Sequence, residues 1–527
     1  MAINTRPLLV AALTMTAGLA TAGQHGESFS TCGTNAHGEP RQLAGVGIIP
    51  ADALEYRLTD EHIAALSEPQ RKLLKEFERL VYTEDEMAPH VCMHPDTDPK
   101  VAEAFELFLN DLWFANSPNS FILSNRWTST ATDGGGLGQG DPTTLRYSFI
   151  PDGTNIVGEG SSNLHSFFDG RIGAGNWEPL FQQALDAWGD LSGLTYVYEP
   201  NDDGVNLSSG GNPGIIGVRG DVRIGANFID GNSGVLAYNY FPNGGDMVID
   251  SGDGSFYGSS SNNYIRLRNV VTHEAGHGIG LAHVESDSNR FLMEPFIDIS
   301  FSGPQIDDIR GAQRGYGDMD ENNNNINQAS PLQDLTLGGG GFVGGNFKII
   351  TFRSTDDNSD FDYYSVPTGE PVTMNVQLTP QGGTYQITGQ GGGGGGSFFN
   401  ANAVSNLAFS VRDANSNIIV DVDDTGAGLS EFASVELPDP GQYYIVVDGG
   451  STNGTQLFSL TVTFATLEVE EECPADFTGE GSLNFLDVSA FLTAFGNQDS
   501  SADFVADGNY NFLDVSAFLT AFSEGCP

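Results

Sequence analysis

Apolar and polar residues alternate along this chain with two different periods, and the change of period marks its organisation. In "TDEHIAALSEPQRKLLKEFERLVY" the apolar residues recur at helical spacing, with Thr59 or Asp60 placed to cap the first turn. "PKVAEAFELFLNDLWFA" repeats that spacing and predicts a second amphipathic helix. From about residue 121 the texture shifts to strands, glycine turns and two helices. "NWEPLFQQALDAWGDLSG" reads as one helix, the strands "LTYVYE" and "DVRIGANF" follow, and the second helix begins near Ile265. "DMDENNNNINQAS" is polar and without period, so 318–331 is expected to be a structureless Asn-rich linker. Beyond it, "DYYSVPTG", "PVTMNVQLT", "LAFSVRDANSNIIVDVDD" and "GQYYIVVDGG" alternate at period two between turn residues. They predict a β-sandwich over 332–466, with "GQGGGGGGS" as a loop inside it.

The last segment repeats itself. "ADFTGEGSLNFLDVSAFLTAF" from Ala475 recurs from Ala502 as "ADFVADGNYNFLDVSAFLTAF". Asp476, Thr478, Glu480, Asn484 and Asp487 fall at positions 1, 3, 5, 9 and 12 of a twelve-residue calcium loop, with Gly481 at the sharp turn. The second copy offers Asp503, Asp507, Asn511 and Asp514 around Gly508, and its Val505 brings no side-chain oxygen. Calcium is the expected ion, bound more weakly in the second loop. "FLDVSAFLTAF" is the expected helix after each loop, and a Cys473–Cys526 disulfide would clasp the ends of a module with a small core.

Composition narrows the partners. At 527 residues the chain needs several domains. Lys plus Arg is 21 against 69 Asp plus Glu, a net charge of −48, which repels nucleic acid and anionic membrane and suits divalent cations. The N-terminal "MAINTRPLLVAALTMTAGLATAGQ" has Arg6, a short apolar run and Ala20-Thr21-Ala22, so residues 1–22 are expected to be a signal peptide of a secreted protein. No other run is long and apolar enough to predict a membrane span. The cysteines Cys32, Cys92, Cys473 and Cys526 are far apart, which in an exported chain suggests two disulfides.

Three of the nine histidines fall in "HEAGHGIGLAH". His273 and His277 share one helix face and can converge on one ion. Gly280 can end the helix with a left-handed residue, and His283 then returns as a third ligand. Three neutral imidazoles suit zinc and leave one position open for water, the mark of a catalytic rather than a structural site. Glu274 can reach that water as a general base.

His273-Glu274-x-x-His277-x-x-Gly280-x-x-His283 followed by Met293 resembles the metzincin metalloproteases. "HEAGHGIGLAH", "LMEP", "FQQALDAWGDLSGLTYVYE", "GVLAYNYFPNGGDMVID" and "QIDDIRGAQRGYG" together resemble the matrixins over 121–317. The resemblance implies an α+β catalytic domain, zinc on the three histidines, Met293 in a turn beneath it, and a peptide substrate extended beside "GVLAY". It also implies a pocket wall between Pro295 and Tyr316. Where matrixins hold a structural zinc, this chain has Tyr238 and Val248, so that ion is expected to be absent. Asp230, Asp246 and Asp250 stay as a candidate calcium site. Residues 23–120 then read as a helical pro-region. Its "PHVCMHPDTD" resembles the matrixin cysteine switch through Cys92, Pro95 and Asp96, but has Val91 and Met93 at the flanking positions. A switch would leave Cys32 a lone thiol, so a Cys32–Cys92 disulfide is favoured over a Cys92–zinc bond. The repeat at 473–527 resembles an EF-hand-like dockerin module, which implies a cohesin-like or cell-surface protein partner. The sandwich resembles pre-peptidase C-terminal domains. The whole reads as a secreted, multidomain zinc endopeptidase. The alternative is a non-catalytic extracellular matrix protein that keeps a metzincin fold.

Overall fold

The computed structural model describes residues 58–84, 88–113, 121–208, 211–286, 290–332, 347–388, 397–467 and 473–525. The expected signal peptide, Cys32, Cys526 and most of the glycine run lie outside the described residues. The architecture is multidomain α+β, with several sheets and helices in one chain.

The first helices follow their apolar spacing. Thr59 caps α1 (Asp60–Ala65) in a capping box with His62. Helix α2 (Glu68–Glu84) buries Leu73, Leu74, Phe77 and Leu80, and α3 (Pro99–Trp113) buries Val101, Phe105, Phe108 and Leu109. Between them lies β1 (His90–Met93), all four residues buried, where the sequence reading expected only helix. Four residues carry too little period to announce a strand, and this one forms only against a partner.

That partner is the edge of a six-stranded sheet. With β2 (Thr143–Phe149), β3 (Leu194–Tyr198), β4 (Val222–Asn227), β5 (Val235–Asn239) and β6 (Met247–Asp250), the strand order is β1-β5-β6-β4-β2-β3. β2, β3, β4 and β6 pair in parallel, whereas β5 runs antiparallel to β6 and to β1. One face of the sheet packs on α4 (Glu178–Gly189) and α5 (Ile265–Gly278) through Leu236, Ile249, Trp188 and Val270. The other face joins the pro-region helices in one cluster that includes Phe77, Phe105, Phe108, Tyr238 and Val248. Helices α2 and α3 therefore share a core with the six-stranded sheet.

The stretch after Tyr316 is not structureless. Asn323 is fully buried, its carbonyl accepts the N–H of Tyr363, and β7 (Ser330–Pro331) pairs in parallel with β9 (Phe361–Thr368). Asn323 bonds to the neighbouring chain through both its carbonyl and its side-chain amide, which composition alone does not reveal. Beyond it, two sheets enclose one apolar core. One holds β7, β9, β11 (Ala408–Arg412), β12 (Ile418–Val422) and β14 (Gly441–Asp448) in the order β7-β9-β14-β11-β12. The other holds β8 (Phe347–Thr355), β10 (Val372–Gln381), β13 (Glu431–Leu437) and β15 (Gln456–Thr466) in the order β8-β15-β10-β13. Along β10 the inward residues are Val372, Met374, Val376 and Leu378, the period-two set of its sequence.

At the C-terminal end, Asn484 and Asn511 cap α7 (Phe485–Gly496) and α8 (Phe512–Glu524), and α6 (Ile306–Tyr316) closes the catalytic region. Cys473 is disulfide-bonded. Phe491 and Phe518 stack with ring centroids 4.0 Å apart, both fully buried, at the centre of a very small core. Phe491→Ala should therefore cost about 3–5 kcal/mol and melt both repeats together. Calorimetry of the full chain would read this as loss of the tail transition, with the remaining transitions unmoved.

Candidate metalloprotease site

Helix α5 is fixed by its neighbours before any ligand is considered. The Trp188 indole donates to Thr272 O and the Trp127 indole to Gly278 O, each at 2.8 Å. Gly280 has φ +105°, and a Cβ there would lie 1.9 Å from Asn125 O. Only glycine allows this turn, which brings His283 back over the helix. A Cβ on Gly276 would meet Met293 Sδ at 2.4 Å, so the buried methionine lies directly under the helix.

The three imidazoles converge. His273 Nε2 lies 3.1 Å from His277 Nε2 and 3.2 Å from His283 Nε2. Nitrogens on one tetrahedral zinc stand about 3.3 Å apart, from Zn–N bonds of about 2.0–2.1 Å. Each Nδ1 is already committed: His273 to Leu292 O at 2.7 Å, His277 to Leu281 O at 2.6 Å, and His283 to Glu106 Oε1 at 2.6 Å. Those bonds select the Nδ1–H tautomer and turn every Nε2 lone pair inward. Burial holds the rings neutral, with His273 and His283 both lowered to about 3. A buried set of three neutral nitrogen donors fits zinc.

Glu274 is fully buried beside them, and burial pushes its carboxyl well up. The Cys92 backbone N–H faces that carboxylate without closing a full hydrogen bond. The Cys92 sulfur, a His273 ring nitrogen and a Glu274 oxygen all lie within 4.8 Å of one another. Cys92 is a free, buried thiol, which overturns the expected Cys32–Cys92 disulfide: β1 turns its side chain in toward His273 and Glu274. Burial, Glu274 and Asp253 all push this thiol up, toward its neutral form.

β1 lies in the cleft as an added strand. It pairs antiparallel with β5 from His90↔Asn239 to Met93↔Val235. On its other side Met93 N–H donates to Pro295 O at 2.9 Å and Met93 O accepts the Ile297 N–H at 3.1 Å, while on the β5 side His94 N–H donates to Gly234 O at 2.9 Å. The His90 ring stacks on His283 with centroids 5.1 Å apart. A cavity of about 560 Å³ continues where residues 94–99 face 294–299. Neither β1 nor Glu106 was picked out from the sequence, since each acquires its role only through tertiary contact.

The other expected ligands divide. Asp230 and Asp250 come together with Asp253, but Asp246 stands apart and accepts the Arg223 N–H at 2.8 Å. Asp246 precedes β6 and Asp250 ends it, and a strand rising about 3.3 Å per residue separates them. Tyr238 gives its hydroxyl to Glu159 and packs on Phe77, while Val248 is buried in the same cluster. In the tail, Asp476 accepts the N–H groups of Gly479 and Gly481, and Asp487 those of Thr478 and Asn484. Asp503 and Asp514 close the second loop in the same way. Thr478 donates its hydroxyl to Asp487, and the Asn484 amide donates to Glu480. Asp507 and Asn511 bond within their own loop.

Residues 172–317 match the matrixin family, Peptidase_M10. This segment is a matrixin-like metalloprotease domain. Human matrix metalloproteinase-16 is 30% identical over 161 residues, 29% of this chain and 25% of that protein. Mouse matrix metalloproteinase-25 is 31% identical over 154 residues, 28% of this chain and 24% of that protein. Interstitial collagenase of Bos taurus is 34% identical over 147 residues, 27% of this chain and 28% of that protein. The chain thus spans about a quarter of the length of these relatives. A pre-peptidase C-terminal domain of a Bacillus anthracis collagenase aligns with 26% of this chain and 94% of its own at 13% identity, with a TM-score of 0.16.

The Glu106–His283 bond makes a quantitative demand on the matrixin-like site. Glu106→Ala should weaken zinc binding by about 10–100-fold, as loss of a carboxylate behind a ligand histidine does. Glu106→Gln, which keeps an acceptor oxygen, should lose less. Chelator competition on the purified full chain measures both, and an unchanged affinity in Glu106→Ala would contradict the role.

Proposed function

We propose that this protein is a secreted zinc endopeptidase made in a latent form, with its cleft covered by its own residues 90–94 and its tail serving as a calcium-dependent docking module. The convergence of three Nε2 atoms beside buried Glu274 carries the reading. Zinc bound there supplies a Lewis acid and a water acidic enough to ionise near neutral pH. Glu274 would serve there as general base and then general acid, carrying the proton that ends on the leaving amide nitrogen. β5 and residues 295–297 offer backbone groups on both sides of an extended peptide, which fixes its direction by strand addition. β1 uses those same groups, so a substrate cannot enter until the pro-region leaves. Intact His273, Glu274, His277 and His283 favour an enzyme over a matrix protein that keeps only the fold.

The two-sheet region reads as a β-sandwich spacer. In the tail, Phe485 and Phe512 are 79% and 77% exposed at equivalent places in the two repeats, beside exposed Leu486 and Leu513. Paired apolar surface of this kind suits a cohesin-like or cell-surface protein partner. Calcium in the two loops would hold those helices in register.

Glu274→Gln should keep zinc, since the three imidazoles are untouched, while casein hydrolysis falls by at least about 10²–10⁴-fold. Zinc content and turnover are measured on the same processed sample, and undiminished turnover in a folded, zinc-loaded variant would refute the mechanism. For the tail, millimolar calcium should slow proteolysis of residues 473–527, and Asp476→Ala should remove much of that protection. Equal digestion with calcium and with chelator would sink the calcium assignment.

A further inference from the structure

A second group of acids lies far from the histidines, where the polar stretch after α6 meets the two-sheet region. Ligand oxygens of Glu321, Asp360 and Asp362 lie within 4.8 Å of one another. Asp362 is fully buried and Asp360 is 6% exposed. Around them stand Asp318 and Asp356, also buried. Acids alone would not make a site, because carboxylates can be satisfied by local N–H groups. Here three oxygens are not. Asp360 Oδ1, Asp362 Oδ2 and Asn323 Oδ1 are buried and accept no hydrogen bond. The Asn323 amide nitrogen donates to Asp362 Oδ1 at 3.1 Å, which places the Asn323 side chain, with its unpartnered oxygen, directly beside this carboxylate.

The nearby cations are engaged elsewhere. Arg353 pairs with Asp320 and faces Asp318 at 4.0 Å, and Arg314 donates to the Asp356 backbone carbonyl. Burial and mutual repulsion raise Glu321 to about 9 and Asp360 to about 6. A buried carboxylate oxygen with no donor is costly, and a bound cation removes that cost directly.

We propose that Glu321, Asp360, Asp362 and the Asn323 amide oxygen bind a calcium ion that fastens the 318–331 segment to the start of β9. The donor set is all oxygen, which suits a hard cation and disfavours zinc or copper. Several carboxylates with an amide oxygen on irregular backbone suit the flexible six-to-eight-fold coordination of calcium better than the strict octahedron of magnesium. The site bridges the two regions. Asp318 follows α6 of the catalytic domain after one glycine, its carboxylate accepts the Ser354 N–H of β8, and Asn323 O accepts the Tyr363 N–H of β9. An ion there holds the catalytic helix α6 at a set distance from the two sheets. Its elements are separate from those of the tail loops and of the Asp230, Asp250 and Asp253 cluster.

The test uses the full chain. Calcium bound per chain is measured by elemental analysis after gel filtration at fixed free calcium, for the parent, Glu321→Gln and Asp362→Asn. Each variant should bind one calcium fewer than the parent. In the parent, calcium should slow proteolytic cleavage within 318–331 at least tenfold, and the variants should lose that protection. A double Asp476→Ala, Asp503→Ala variant should lose tail calcium and keep it. The proposal is overturned if parent and variants bind equal calcium, if cleavage within 318–331 ignores calcium, or if magnesium protects equally well. If Asp362→Asn does not fold, Glu321→Gln, with its more exposed side chain, decides alone.

Discussion

The constraint on which the site depends is that three imidazole lone pairs point at one another in a volume closed to water. His273, His277 and His283 gain nothing from facing each other without a cation, and burial prevents them from relieving the clash by protonation. Their orientation is therefore imposed from outside, by Leu292 O, Leu281 O and Glu106 on the far ring nitrogens. Those acceptors are held in turn. Leu292 and Met293 donate their N–H groups to the Asp308 carboxylate of α6, and the Tyr316 hydroxyl ties Ile279 O to the end of the same helix. The metal-ready geometry thus depends on elements from α3 to α6 rather than on one motif.

Two of these three restraints belong to the catalytic domain, and the third comes from α3 of the pro-region. Residues 90–106 therefore make two distinct contacts with the sheet and the histidines. β1 pairs along β5, while Glu106 orients the His283 ring through Nδ1. Because α2, α3 and the outer face of the sheet share one core, the two effects cannot be separated by a small movement of the segment. The backbone of residues 90–94 satisfies both rims of the groove, and the Cys92 thiol stays neutral beside Glu274.

Legibility in the sequence follows the range of the interaction. Helix α5 and its two histidines are local, and the run from Ile265 to Gly278 is visible in spacing alone. His283 is nearly as local, because Gly280 announces the turn. The strands of the two-sheet region were readable from their alternation, as in β10. What escaped is what depends on a partner distant in sequence. β1 is a strand only because β5 has a free edge, and Glu106 is one acid among many in an amphipathic helix until α3 docks. The matrixin resemblance sets Asp246 beside Asp230 and Asp250, but the extended strand β6 carries Asp246 and Asp250 apart. The 318–331 stretch looked unstructured because its asparagines and aspartates, read one by one, are turn residues.

That last misreading bears on the chain's large negative charge. Spread over a surface, such charge serves solubility and costs little. In this fold part of it is instead withdrawn from water, at Asp230, Asp250 and Asp253 and again at Glu321, Asp360 and Asp362. Burial raises Asp230 and Asp253 to about 7 and Glu321 to about 9. Folding without cations must then either take up protons or leave like charges facing each other, and both become harder as pH rises. The sign is fixed by the direction of these shifts: a carboxyl raised on folding costs nothing below its unfolded value, and the cost grows as pH rises from there through its folded value. A protein with such groups at several junctions therefore gains stability from divalent cations most strongly at neutral and alkaline pH, where the protons are no longer available to neutralise them.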